Sequence, residues 1–237
     1  MRGFRANKLK KRCGVKAKIA EIFDSVQGEG LYLGEKQIFV RFFNCNLSCA
    51  YCDTKFNRFT EYEPQELFEE IKLYRDKYHS ISFTGGEPLL YGDFLKEILG
   101  LTSGRGYRHY LETNGTLFFE LEKLIDRIDI IAMDLKFPSS TGMGNLWQLH
   151  RKFLKIAARK EVFLKAIICQ VTSEEDLQEG LAMIKEISPF SVLVLQANSY
   201  ENQGVLQEKL LNFKEIANQQ GVVTCIIPQI HKIMGLR

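Results

Sequence analysis

β-Branched and aromatic runs alternate with helix-patterned segments along almost the whole chain, and this exchange is the strongest constraint on its fold. QIFVRFF (37–43), SISFT (80–84), YRHYLET (107–113), IDIIAMDL (128–135), EVFLKAII (161–168), SVLVLQ (191–196) and VVTCII (222–227) read as strands. Helical patterns fall between them at 64–78, 94–99, 118–127, 145–158, 174–187 and 206–219. In the first of these, Leu67, Phe68, Ile71, Tyr74 and Tyr78 recur at helical spacing. Repeated strand–helix units build a mostly parallel sheet, and nearly continuous apolar middle strands predict cover on both faces. A further strand at 17–23 is expected to pair at an edge. Seven main strands suit a partial, open β/α barrel better than a closed eight-fold one, so the expected class is α/β. A single domain over 19–237 follows a basic N-terminal arm, 1–18, that holds eight Lys or Arg and no acid.

Polar and glycine-rich motifs stand at the C-terminal end of strand after strand. A cysteine loop follows the first, TGGEP (84–88) the second and ETNG (112–115) the third. Asp134 and Lys136 end the fourth, Gln196 ends the sixth, and Pro228-Gln229 follow the last. In parallel α/β folds these ends open on one face, which carries the active site. The formal net charge of +3 is too small to mark a nucleic-acid surface. The basic arm alone reads as a solvated terminus. No run of eighteen apolar residues is present, so no membrane span is expected. The N-terminus has no apolar secretion-signal core, which points to the cytoplasm and to reduced thiols.

Three of the six cysteines crowd into FFNCNLSCAYCDT (42–54), at Cys45, Cys49 and Cys52. Cys13, Cys169 and Cys225 are scattered, which is not a disulfide framework. Three thiolates spaced CxxxCxxC can each bind one iron of a cubane cluster and leave the fourth iron open. Structural zinc wants a second ligand pair, and the four histidines (79, 109, 150, 231) supply no close one. Zinc and a redox Cys49–Cys52 dithiol remain as alternatives, although the dithiol leaves Cys45 without a role.

CxxxCxxC with Tyr51 just before the last cysteine resembles the signature of the radical S-adenosylmethionine superfamily, and GGEP (85–88) resembles its glycine-rich cofactor loop. The set SVQGEG (25–30), Arg41, CDT (52–54), TGGEP, ETNG, MDLKFPSSTGMG (133–144) and PQIHK (228–232) narrows the likeness. It is similar to the 7-carboxy-7-deazaguanine synthases, in register from about residue 19 to the last few residues.

That resemblance implies a lyase acting on 6-carboxy-5,6,7,8-tetrahydropterin, with ring contraction and loss of ammonia, on the route to deazapurines such as queuosine. It implies a 4Fe–4S cluster, S-adenosylmethionine and Mg2+ as cofactors. It also implies a flavodoxin- or ferredoxin-like electron donor, and a homodimer is the default assembly. Carried over residue by residue, Cys45, Cys49 and Cys52 hold the cluster and Thr54 the Mg2+. Val26, Gln27, Gly28, Glu29, Arg41, Thr84 and His231 correspond to substrate positions, with Arg41, Glu29 and His231 closest to the chemistry. Tyr51, Cys52, Asp53, Gly86, Glu87, Glu112, Asp134, Lys136 and Gln196 correspond to positions near the cofactor. The residue types agree with these roles. Arg41 offers a planar donor fork for a carboxylate and sits in an apolar strand, where an unpaired charge is costly. Gln27 and Glu29 suit the donor and acceptor edge of a pterin, and Glu87 or nearby carbonyls suit an ammonium. A glycyl-radical activating enzyme would share the cysteine and GGEP motifs but would act on a protein. A non-catalytic metal-binding module would share the cysteines alone.

Overall fold

The expected alternation is present in a computed structural model that describes residues 14–53, 56–230, 232 and 235. Most of the basic arm, together with Thr54 and His231, lies outside the described residues. Strand β1 (Ala17–Val26) runs antiparallel to β2 (Lys36–Phe42), and β3 (Thr60–Tyr62) pairs with β1 on its other side. The chain then alternates through α1 (Pro64–Ile71), β4 (Ser80–Gly85), α2 (Gly92–Thr102), β5 (His109–Thr113) and α3 (Phe118–Leu124). It continues through β6 (Ile130–Leu135), the short α4 (Pro138–Thr141), α5 (Trp147–Ala157), β7 (Glu161–Ile168), α6 (Glu174–Ile187), β8 (Leu193–Ala197), α7 (Gln203–Gln219) and β9 (Thr224–Ile226). The nine described strands form one sheet, ordered β3-β1-β2-β4-β5-β6-β7-β8-β9 and parallel from β2 to β9. β1 is therefore not the edge, because the three-residue β3 covers it.

Local chemistry sets the element ends. Ser173 caps α6 by accepting from the Asp176 amide, and Glu174, Glu175 and Asp176 complement the positive end of its dipole. Asn202 caps α7 through the Gly204 and Val205 amides. α1 stops at Ile71, short of the expected residue 78. Tyr74 and Tyr78 satisfy their apolar spacing off the helix, packing edge to face with centroids 6.2 Å apart.

Alternation along each strand divides the apolar residues between two faces. One face, with Val40, Phe83, Leu111, Met133, Leu164 and Leu195, packs against the helices in the main core. The other carries a smaller cluster of Tyr110, Ile130, Ala132, Phe163 and Val194, with Tyr32 and Ile227 against it. Tyr32 comes from the β1–β2 loop. That loop enters from the N-terminal ends of the parallel strands, since Val26 pairs with Lys36 at the start of β2. It meets the opposite side of the sheet, where the Ile230 amide donates to the Gly28 carbonyl at 3.0 Å. The sheet thus curls around an inserted loop without closing by strand pairing. No helix among the described residues is long and apolar enough to cross a membrane.

Candidate active site

Above the inner apolar cluster lies a cleft of about 860 Å3. The cysteine loop after β2 forms one lip, and Cys45, Cys49 and Cys52 all line the cleft. The loop is held by two neighbouring segments and by a bond of its own. The Ala50 amide donates to the Thr141 carbonyl at 2.8 Å, the Cys52 amide to the Cys49 carbonyl at 3.0 Å, and the Glu87 amide to the Asn44 carbonyl at 2.7 Å. The Cys45 sulfur faces the Leu47 amide at 3.4 Å and Asn114 Nδ2 at 3.7 Å. Asn114 is itself fixed by Asn46, at 2.8 Å, and by the hydroxyl of Thr116. Burial pushes the thiols of Cys45 and Cys49 above the ordinary range, so metal loading would displace protons from them. Among the described residues no three His, Cys, Asp or Glu side chains stand in single-ion geometry. The fit to a cluster comes instead from the donor set: soft thiols on one loop, amide donors toward sulfur, and a cleft beside the open position.

The glycine loop explains its own composition. Gly85 has φ +112°, and a Cβ at Gly86 would stand 2.0 Å from the Asn44 carbonyl oxygen. The two strand ends approach so closely because the Gly86 amide donates to the Phe42 carbonyl at 2.8 Å. Glu87, expected at the cofactor's ammonium, is instead fully buried. Its carboxylate accepts from the amides of Leu89 and Asn114 and from the Thr113 hydroxyl, at 3.0, 2.8 and 2.9 Å. Burial pushes its pKa up to about 7. Glu87 therefore stitches the TGGEP and ETNG motifs together. Gln196 is also fully buried, and it does not line the cleft.

The floor of the cleft is polar. Gln27 Nε2 donates to Glu112 at 2.8 Å and to Gln37 at 3.1 Å, while its Oε1 accepts from the Glu29 amide at 3.1 Å. Gln27 is thus committed to bracing the loop. Glu29 accepts from Gln229 Nε2 at 2.7 Å and from Lys165 Nζ at 3.0 Å. Glu112 accepts from the Thr84 hydroxyl at 3.2 Å. Arg41, half-buried in the wall, pairs with Glu21 at 3.2 Å across the β1–β2 register and lies 4.9 Å over the Phe23 ring. The costly unpaired charge expected from its apolar strand is thereby avoided.

Asp134 and Lys136 pair at 3.0 Å. Burial opposes charge at both. The Asp134 carboxyl is nonetheless held below the usual range by Lys136 and Lys165, and Lys136 is held well above its own by Asp134. The Lys136 ammonium also stands 5.5 Å over the Tyr51 ring of the cysteine loop. Asp53 is ion-paired with Lys232, whose ammonium also donates to the Ser199 hydroxyl at 2.8 Å. Val26, Gly28, Thr84 and Gly86 line the cleft as well. The expected positions are thus brought together, apart from Glu87 and Gln196 and from Thr54 and His231, which lie outside the described residues. Sequence reasoning missed Lys165, Asn114 and Lys232.

The radical SAM superfamily profile matches residues 39–195, a span that holds both the cysteine loop and the glycine loop, so the class is that of the radical S-adenosylmethionine enzymes. Curated relatives narrow this. The 7-carboxy-7-deazaguanine synthase of Geobacter sulfurreducens is 34% identical over 92% of this chain and 97% of that protein. The enzyme of that name from Methanothermobacter thermautotrophicus is 32% identical over 94% and 99%. The chain belongs to the 7-carboxy-7-deazaguanine synthase family of the radical SAM superfamily, whose cofactors are a 4Fe–4S cluster and S-adenosylmethionine. Among solved structures, QueE from Escherichia coli superposes with TM-score 0.64 at 18% identity, over 89% of this chain and 93% of that one. A TYW1 structure superposes with TM-score 0.57 at 15% identity, over 77% and 73%. These likenesses concern the fold.

Proposed function

We propose that this chain, as a single catalytic domain over 19–237, converts 6-carboxy-5,6,7,8-tetrahydropterin to 7-carboxy-7-deazaguanine with loss of ammonia. The observation that carries this reading is the sharing of one cleft by the three thiols and by a floor of Glu29, Arg41, Thr84, Glu112 and Lys165. Cys45, Cys49 and Cys52 would hold the cluster, which would supply one-electron reduction for radical chemistry with S-adenosylmethionine. The chain's own residues do the rest. Arg41 presents guanidinium donors suited to the substrate carboxylate. Glu29 accepts from the pyrimidine N–H edge, and Thr84 and Glu112 lie beside it. His231, two residues after Gln229 in the sequence, is assigned to the substrate by the family resemblance. Tyr51, Cys52, Asp53, Gly86, Asp134 and Lys136 bound the cofactor's side, and the inner apolar cluster excludes water from beneath. Mg2+ at Thr54 is supported by the family resemblance and by the neighbouring Cys52 and Asp53 in the cleft lining. Thiols that must stay reduced assign the enzyme to the cytoplasm. A flavodoxin- or ferredoxin-like protein is the electron donor, and the working assembly is a homodimer.

The test is anaerobic. Protein reconstituted with iron and sulfide is reduced and given S-adenosylmethionine, Mg2+ and the carboxytetrahydropterin. Mass spectrometry should find the deazaguanine carboxylate. Formation of 5′-deoxyadenosine without it would leave the radical chemistry standing and remove the substrate; a glycyl-radical activating enzyme would behave that way.

A further inference from the structure

After the exposed Glu161 at its start, strand β7 is apolar except at one inward position. Phe163, Leu164, Ala166 and Ile168 are buried, and Lys165 among them exposes only 7% of its side chain. An isolated ammonium at such depth costs several kcal/mol. Here it meets three carboxylates from three separate parts of the chain: Glu29 at 3.0 Å, Asp134 at 3.4 Å and Glu112 at 3.7 Å. Lys136 meets Asp134 from elsewhere at 3.0 Å. A lysine has three donors and no fixed plane, so it suits a hub of several acids better than an arginine would.

We propose that Lys165 is a positioning residue for the deazaguanine-forming reaction, setting the orientation of the Glu29 carboxylate against the substrate; this rests on the pterin reading of the cleft. Glu29 sits on the β1–β2 loop, outside any strand ladder. Its carboxylate accepts from side-chain donors that include Lys165 on Oε2 and Gln229 on Oε1. A carboxylate suits two parallel N–H groups, such as the amidine-like edge of a 2-aminopyrimidinone, only when its plane is fixed toward them. Lys165 therefore acts through Glu29. Asp134 keeps Lys136 when Lys165 is removed, so cofactor binding is the internal control.

A purely structural lysine would matter only by balancing buried charge, and charge can be rebalanced without it. The experiment compares wild type with Lys165→Met, Lys165→Arg, Glu112→Gln and the double variant Lys165→Met/Glu112→Gln, which restores the net charge of the set. Each is reconstituted with its cluster and assayed for iron. Pterin and S-adenosylmethionine affinities are measured by calorimetry before reduction, and KM and kcat after it. Lys165→Met and the double variant should both weaken pterin binding by roughly 30-fold or more, seen in KM rather than kcat. S-adenosylmethionine affinity should stay within about 3-fold, and Lys165→Arg should recover about 10-fold of the pterin loss. If Lys165→Met does not fold, the double variant set against Glu112→Gln carries the test. Pterin affinity in the double variant equal to that of Glu112→Gln would overturn the inference and leave the substrate reading intact. Wild type that binds no pterin would overturn both.

Discussion

Gly86 and His150 show how single residues hold the cysteine loop from opposite sides. A methyl group at Gly86 would meet backbone, the Asn44 carbonyl at 2.0 Å, and backbone cannot rotate aside. Gly86→Ala should therefore cost more than about 2 kcal/mol and lower iron retention, read by urea unfolding and iron assay. His150 is fully buried behind Asn114, and its Nε2–H donates to the Asn114 carbonyl at 3.2 Å. Burial lowers its pKa from 6.5 to about 4. A depressed histidine binds its proton more readily unfolded than folded, so its contribution is complete above pH 6.5 and fades as pH falls toward 4. The stability gap between wild type and His150→Gln should then shrink by about 2 kcal/mol between about pH 7.5 and about pH 5. An unchanged gap would mean that the ring carries no such shift. Much of this scale was legible: the cysteines by type and spacing, and Gly86, Arg41 and Glu29 through the resemblance to the family's motifs. Lys165 did not, because FLKAII reads as an ordinary strand with one solvated lysine. The desolvation argument that flagged Arg41 applied equally to a lysine in a strand covered on both faces. A carboxylate beside two glycines reads as a ligand position, with nearby carbonyls as the alternative, and only the fold shows three donors already turned on Glu87.

Among the elements, the β1–β2 loop departs most from expectation. Its polar QGEG motif was readable, but not its entry from the end of the sheet opposite the other motifs. That direction follows from β1 running antiparallel, a property of pairing that local pattern does not encode. β3 escaped notice because three residues carry no period. The inserted loop is anchored by Tyr32, whose ring lies 4.8 Å from His79, 5.7 Å from Tyr110 and 6.3 Å from Phe163, and whose hydroxyl bonds Glu161. Tyr32→Ala removes these ring contacts and should destabilise the protein by about 2 kcal/mol, while Tyr32→Phe keeps the rings and should lose less than about 1 kcal/mol. Iron content should be the same in both, since the anchor and the cysteine loop lie at opposite ends of the sheet. Denaturant unfolding checks the order, and equal losses would assign the anchoring to the hydroxyl instead.

At the scale of the whole molecule, the open sheet raises the question of what holds its two flanks together around the cleft. β3 and β9 are the terminal strands of the described sheet and do not pair with each other. The join is made lower down, where the loop after β1 meets the segment after β9. Among the described residues it includes the Ile230 amide on the Gly28 carbonyl at 3.0 Å and Gln229 Nε2 on Glu29 at 2.7 Å, with the Lys232–Asp53 ion pair joining the same flanks at the mouth. A ladder would spread the joining energy over many residues, whereas a few such bonds concentrate it. They also put the seam in the substrate floor, so that the residue proposed to read the pterin helps hold the flanks together. Gln229→Ala and Glu29→Ala should then be coupled. Each alone loses the same side-chain bond, so the double variant should be about 1 kcal/mol more stable than the sum of the single losses predicts. The cycle is measured by urea unfolding of the reconstituted protein, with Tyr32→Phe/Gln229→Ala as a pair with no contact between its members. Coupling below about 0.3 kcal/mol would mean that the two losses simply add, and the Gln229–Glu29 bond would then contribute little to the seam.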